Sequence, residues 1–204
     1  MSAPPFAALL LAGGRSRRMG RDKALLEWQG RPLWRVQAEK LVSLQPARTF
    51  IACRTEQQLE LHPLLGKVCW LHDPPNEALG PIAAIARALG KTDLPLLVLA
   101  VDAPLITAPF LQAMLAEFET GSGGLFYRSD HGIEPLIGIY GPALRPLLLA
   151  AIERGELALQ PVIQAAADRG LATVGPLPAG AQDLLVNANN PDEWAALQLQ
   201  PPTA

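Results

Sequence analysis

With 204 residues, half of them hydrophobic, the chain has the length and composition of one domain with a substantial core. Its 17 Lys plus Arg against 19 Asp plus Glu leave a net charge of -2, which excludes the general basic field that nucleic acid or an anionic membrane surface selects. No apolar stretch reaches the length that spans a bilayer.

The first predicted element is the apolar run 6–12, whose length and lack of polar alternation indicate a strand buried on both faces and ending at Gly13. No basic segment precedes it, and cleavage as a signal peptide would remove the strand, so a cytoplasmic protein is expected. Cys53 and Cys69 fall in predicted strands, at a separation that fits neither a redox pair nor a zinc site. They read as small buried hydrophobes in a reducing compartment.

Gly13 and Gly14 permit a sharp turn and let backbone N–H groups approach a ligand, while Arg15, Arg17, Arg18 and Lys23 place four cations within nine residues. Such a loop suits a polyphosphate. The spacing is neither that of a P-loop, since Gly20 is followed by Arg21-Asp22-Lys23, nor that of a dinucleotide fingerprint, which Gly13-Gly14-Arg15 breaks. A solvated basic turn is the simpler alternative. The position at the carboxyl end of a buried strand favours a ligand site.

Residues 24–28 then read as a short edge strand and 29–31 as a turn, with Pro32 starting a helix to Ser43 whose inward side chains include Leu33, Val36 and Leu41. Strands are expected at 48–53 and 67–71, on either side of a short helical segment at 56–61. His72-Asp73-Pro74-Pro75 leaves the third strand as a loop, and Gly80-Pro81 opens a helix through Leu89. The most apolar stretch, 94–101, reads as a central parallel strand. It ends in Asp102-Ala103-Pro104, which would put a carboxylate in the same crevice as the glycine loop if the two strands are neighbours. A helix at 108–118 follows.

Beyond residue 120 the pattern changes. Strands at 125–128 and 134–140 joined by Ser129-Asp130-His131-Gly132 form an expected antiparallel pair. Helices at 142–152 and 159–167, a strand at 171–174, a loop at 175–180 and a last strand at 183–188 lead to a terminal helix from Pro191. The whole reads as a doubly wound α/β sandwich, its sheet mostly parallel with an antiparallel excursion in the second half.

Transfer of a nucleotidyl group, in which a nucleophile attacks the α-phosphate of a nucleoside triphosphate and pyrophosphate leaves, fits these residues. Loop N–H groups with Arg18 and Lys23 can hold the triphosphate and neutralise it, and magnesium needs only one or two carboxylates besides phosphate and water oxygens. Asp102 is the first candidate ligand. If the nucleophile is a phosphate monoester no protein base is required, because its second pKa lies at about 6. Accordingly His62 and His72 read as ordinary loop or helix-end residues and His131 as a turn residue. Asp73 is either a turn initiator before two prolines or a ligand, and Asn190 is the best-placed cap for the last helix, leaving Asn187 and Asn189 for function. Trp28, Trp34, Trp70 and Trp194 read as packing residues.

The run Leu11-Ala12-Gly13-Gly14-Arg15-Ser16-Arg17-Arg18-Met19-Gly20-Arg21-Asp22-Lys23 resembles the signature loop of the molybdenum cofactor guanylyltransferases. Later blocks resemble the same family in the same order: His72-Asp73 leading to Gly80-Pro81-Ile82-Ala83-Ala84, then Ala100-Val101-Asp102-Ala103-Pro104, Glu134-Pro135-Leu136 through Tyr140, and Asn187-Ala188-Asn189-Asn190-Pro191. The resemblance implies a Rossmann-like three-layer α/β/α fold in one domain, with a nucleotide-binding half at about 1–120 and an acceptor-binding half at about 121–199. It implies a nucleotide site of Leu11, Ala12, Gly13, Gly14, Lys23, Asp73, Gly80 and Asp102. Lys23, Arg18 and Asp102 would be catalytic, Asp102 would hold Mg2+, and Asn187 and Asn189 would lie near the acceptor. The reaction implied is transfer of GMP from GTP to Mo-molybdopterin. A monomer is expected, with molybdoenzyme apo-proteins or cofactor-insertion chaperones as its further partners.

The chain departs from the family pattern at Ala84, where the last glycine of a Gly-Pro-Leu-Ala-Gly block is expected, at Ala52-Cys53-Arg54, which replaces an Asn-rich segment, and at Val101, which replaces a Cys. These positions bear on substrate choice more than on phosphate chemistry. CTP-dependent cytidylylation is the neighbouring alternative, although enzymes of that kind tend to carry Leu-Ala-Ala-Gly where Gly13 stands here. A phosphosugar acceptor and a non-catalytic nucleotide-binding role in cofactor insertion are the others.

Overall fold

The computed structural model describes residues 4–14, 21–59, 68–73, 79–119, 121–188 and 190–199. β1 (Ala7–Leu11) is the apolar first strand, followed by a one-turn 3-10 helix at Lys23–Leu25 and a small ribbon of β2 (Glu27–Trp28) and β3 (Arg31–Pro32). Gln29 and Gly30 between them both take positive φ, 51° and 76°, as a two-residue hairpin turn of the I′ kind requires. Then come α1 (Leu33–Ser43), β4 (Arg48–Cys53), β5 (Val68–His72), α2 (Gly80–Leu89), β6 (Leu96–Ala100) and α3 (Ala108–Glu117). The second half adds β7 (Gly124–Ser129), β8 (Gly132–Tyr140), α4 (Arg145–Glu153), α5 (Leu159–Asp168), β9 (Thr173–Pro176) and α6 (Pro191–Gln198).

Seven strands form one sheet in the order β5-β4-β1-β6-β8-β7-β9. β8 pairs antiparallel with both β6 and β7, while the other pairings are parallel. Alternate side chains of each central strand enter opposite cores. Ala8 and Leu10 pack with α1, α3 and α6, and Ala7 and Leu9 pack with α2, α4 and α5. The result is the expected doubly wound three-layer sandwich. From β1 the chain moves outward through β4 to β5, then returns across β1 to β6. The strand order therefore reverses between β1 and β6, and their carboxyl ends flank the crevice where such sheets bind ligands.

Several expected elements differ. The stretch 24–28 is not one edge strand. Ala24 is buried inside the 3-10 turn, and only Glu27–Trp28 is extended, in the separate ribbon. The expected strand at 183–188 is instead a 3-10 turn at Gln182–Leu185, because the sheet edge beside β7 is already taken by β9. β9 itself runs into the expected loop, pairing Gly175 and Pro176 with Tyr127 and Arg128. An edge strand tolerates that proline, whose missing N–H costs the sheet no pairing. His72 is the last residue of β5 rather than a loop residue, and Cys69 on the same edge strand is exposed, unlike the buried Cys53. At 56–61 the described part is a 3-10 turn, Thr55–Gln57.

Candidate active site

The register of β1 against β6 builds the centre of the site. Leu11 pairs with Ala100, and Val101 N–H donates to the Leu11 carbonyl at 3.1 Å, so Gly13 and Asp102 each lie two residues beyond a matched pair. Lys23 arrives from the next turn. Asp22 caps that turn, its Oδ1 accepting from Ala24 N–H at 3.0 Å, and the buried Ala24 anchors it to the core. Lys23 Nζ thereby donates to Asp102 Oδ2 at 2.9 Å, with the two side chains 13% and 29% exposed. The cation of the first loop and the carboxylate of the central strand meet in one partly desolvated place, where charge interactions are stronger than in water.

The Asp102 segment is held from α1. Gln37 is fully buried and donates to the Ala103 carbonyl at 2.7 Å and the Ala100 carbonyl at 3.4 Å. Lys40 Nζ donates to Gln37 Oε1 at 2.6 Å and to the Pro104 carbonyl at 3.1 Å. Carbonyls on both sides of Asp102 thus accept from α1 side chains, which fixes the backbone that carries its carboxylate.

Burial lowers the Lys40 pKa from its ordinary 10.5 to about 8. The unfolded chain therefore binds more protons between about pH 8 and 10.5, and this group's contribution makes folding more favourable as pH rises through that window. Replacing Lys40 by Met should remove that slope. Thermal denaturation of wild type and variant at pH 7.5 and 10 checks it, and parallel pH dependences would show that Lys40 does not titrate there.

On the other side of the crevice, β4 holds the glycine loop. Arg54 Nη1 donates to the carbonyls of Gly13 and Gly14 at 2.8 and 2.6 Å, and Gln57 Nε2 donates to that of Ala12 at 2.8 Å. The N–H groups of Gly13 and Gly14 have no hydrogen-bond acceptor among the described residues. They remain available to an anion. Asp73 follows β5, its N–H donating to the Cys53 carbonyl at 2.9 Å, and its Oδ1 accepts from Arg87 Nη2 at 2.6 Å. A Cβ placed on Gly13 would lie 2.6 Å from Asp73 Oδ2. A methyl at 13 would therefore fit only if the Asp73 carboxylate, held by Arg87, moved aside.

Residues 8–170 match the family described as MobA-like NTP transferase domain. The chain belongs to this MobA-like NTP transferase family. It is 37% identical over 199 residues to a probable molybdenum cofactor guanylyltransferase of Synechococcus elongatus, covering 95% of this chain and 98% of that one. A molybdenum cofactor guanylyltransferase of Pseudomonas syringae pv. tomato is 35% identical over 157 residues, or 75% of this chain and 76% of that one. Among solved structures, molybdopterin-guanine dinucleotide biosynthesis protein A of Archaeoglobus fulgidus superimposes with a TM-score of 0.76 at 25% identity, covering 95% of this chain and 97% of that one.

In this MobA-like chain the residues singled out from the sequence fall into groups. Lys23 and Asp102 touch, Gly13 and Asp73 abut, and Asp73 shares with Gly80 and Arg87 the lining of a cavity of about 260 Å³ that α4 closes with Arg145, Leu149 and Ile152. Gly80 takes a φ of +67°, a left-handed turn into α2 that favours glycine. Leu11 and Ala12 continue β1 into the loop. Arg18 and Asn189 lie outside the described residues, as does His62. Asn187 is exposed, between the turn at Gln182–Leu185 and α6, whose cap is Asn190, accepting from Glu193 N–H at 2.9 Å. Ala84 is buried in the core under α2, and the nearby cavity is lined by Ala83 and Ala86 instead. Sequence reasoning missed Asp22, Gln37, Lys40, Gln57 and Arg87 as supports of the site, and read Arg54 only as a departure from a family segment.

The close approach at Gly13 has a measurable consequence. Gly13→Ala should cost roughly 1–3 kcal/mol through overpacking against Asp73. In an Asp73→Ala background the same substitution should cost much less, a coupling that a thermal-denaturation double-mutant cycle measures. Equal costs in the two backgrounds would mean that Asp73 does not occupy that space.

Proposed function

We propose that this chain transfers GMP from GTP to the terminal phosphate of Mo-molybdopterin, forming the guanine dinucleotide cofactor and pyrophosphate. Family membership and the names of its relatives supply the reaction class. The observation that carries the reading in this chain is the 2.9 Å contact between Lys23, from the turn at Lys23–Leu25, and Asp102, just beyond the carboxyl end of β6.

On this reading the triphosphate lies across the glycine loop, with the Gly13 and Gly14 N–H groups and Lys23, joined by Arg18, opposing its charge. An oxygen of the acceptor phosphate attacks the α-phosphorus. A new P–O bond forms, the bond to the bridging α–β oxygen breaks, and pyrophosphate leaves with that electron pair. The acceptor phosphate is already largely ionised at neutral pH, given a second pKa of about 6, so this reading requires no protein base. The chain's part is to align donor and acceptor and to stabilise charge as it moves onto the pyrophosphate.

The residues present fit a magnesium ion. Among the described residues no group of three or more His, Cys, Asp or Glu side chains could hold a metal by itself. A single carboxylate with phosphate and water oxygens is a usual magnesium environment, and Asp102, 29% exposed and with only Oδ2 engaged by Lys23, offers that oxygen donor. When bound, magnesium would neutralise phosphate charge in the transition state. The acceptor would lie toward the second half of the chain, with Asn187 and Asn189 beside it.

Pyrophosphate release from the protein with magnesium, molybdopterin and either GTP or CTP tests the assignment. Release with GTP and not CTP is expected. Turnover with CTP alone would assign cytidylyl transfer, and turnover with neither would remove the catalytic reading.

A further inference from the structure

Arg54, the residue after β4, turns its side chain onto the backbone of the candidate site. Its guanidinium spans the carbonyls of Gly13 and Gly14 with Nη1, at 2.8 and 2.6 Å, and reaches Asp22 Oδ2 with Nη2 at 2.6 Å. Gln57, buried one turn later, duplicates the bridge: its Nε2 donates to the Ala12 carbonyl and to the same Asp22 Oδ2, both at 2.8 Å. Its Oε1 accepts the Arg54 backbone N–H at 2.7 Å, so the two side chains form one unit. Asp22 in turn caps the turn that begins with Lys23.

The network therefore joins the strand end at 12–14 to the residue that directs Lys23. It occupies the carbonyl oxygens of three consecutive residues, and since Ala12 N–H donates to the Ala52 carbonyl, the Gly13 and Gly14 N–H groups are the polar groups this backbone can offer a ligand. The guanidinium itself is committed to protein acceptors, with Arg54 only partly exposed. A planar fork of several donors suits this geometry in a way an ammonium does not.

We propose that Arg54 is a positioning residue for nucleotide binding: it latches the glycine loop to the Lys23 turn, so that the loop N–H groups and Lys23 meet a triphosphate as one preorganised surface. The inference rests on the reading of that loop as the triphosphate site. Because Arg54 acts through the loop, its loss should weaken binding rather than remove the chemical step.

The test uses the full chain with Arg54→Ala and Arg54→Lys. Arg54→Ala should raise the Kd for magnesium-GTP by roughly 10- to 100-fold, the scale of a displaced binding group, and raise the GTP KM more than it lowers kcat. Millimolar methylguanidinium should restore much of the affinity in Arg54→Ala but none in Lys23→Ala. Arg54→Lys should be intermediate, because one ammonium cannot span two carbonyls and a carboxylate, and it serves if the alanine variant does not fold. Magnesium-GTP binding within twofold of wild type in the folded variant, or a loss that methylguanidinium leaves unchanged, overturns the proposal.

A second readout separates the latch from the site reading. Amide relaxation of Gly13 and Gly14 in nucleotide-free protein should show order parameters near 0.85 in the wild type and below about 0.6 in the folded Arg54 variant. If wild-type protein binds no GTP while these values change as expected, the site reading fails and the latch stands. Unchanged order parameters count against the latch itself.

Discussion

Substituting Asp102 by alanine is expected to abolish detectable turnover while leaving the fold in place. The reason lies in where the carboxylate sits. It lies two residues beyond β6, the neighbouring carbonyls of Ala103 and Pro104 are held by Gln37 and Lys40, and its contact with Lys23 is in a place partly withdrawn from water. The backbone around it is satisfied by other groups, so removing the carboxylate should not unravel the turn. The loss should appear in catalysis and in the metal dependence of binding. A preorganised electrostatic group at a phosphoryl centre is worth roughly 10²–10³ in rate. Loss of a metal ligand in the same step should take the variant beyond that figure. Magnesium should then no longer strengthen nucleotide binding. Pyrophosphate release and magnesium-dependent GTP titration on Asp102→Ala and Asp102→Asn check this, and wild-type turnover in either would remove Asp102 from the mechanism.

Lys23→Ala should have the second largest effect, a fall of roughly 10²–10³ in turnover with a weakened affinity for GTP. The Lys23 side chain is 13% exposed and is delivered by a turn that Asp22 caps and Ala24 anchors, so its position is specified by packing rather than by chance encounter. Because Lys23 and Asp102 are in contact, the two substitutions should be markedly non-additive. The double variant should be little worse than the poorer single one. Fully additive losses would indicate that the two side chains act in independent places, and an unchanged rate in Lys23→Ala would show that the loop is not catalytic.

Much of this site is legible in the sequence because phosphate chemistry restricts the residue types it uses. Adjacent glycines after a buried apolar run, cations close behind, and an acid at the end of the most apolar strand are local signals, and the alternation of strands and helices brings them together. What holds them there is less visible. Gln37 reaches carbonyls 63 and 66 residues away, and Arg54 reaches Gly13 across 41. Such contacts depend on strand register: Leu11 pairs with Ala52, which sets Arg54 directly beyond β4 and beside Gly13. Gly13 itself could be marked from the sequence as a position for close approach, but not that its neighbour is the Asp73 carboxylate. The second half is less legible for a related reason. Whether 171–188 contributes one strand or two depends on which segment claims the edge beside β7, and Thr173–Pro176 does so despite its glycine and proline.

The relation between the two halves of the crevice is open to direct observation. Crystals of the full chain grown with GTP and manganese in place of magnesium would locate the ion by its anomalous signal and the phosphates by their density. The expected result is one triphosphate on the Gly13 and Gly14 N–H groups, the ion ligated by Asp102, and Lys23 Nζ on a phosphate oxygen. A triphosphate bound elsewhere, with the Lys23 to Asp102 contact untouched and no ion at Asp102, would contradict it.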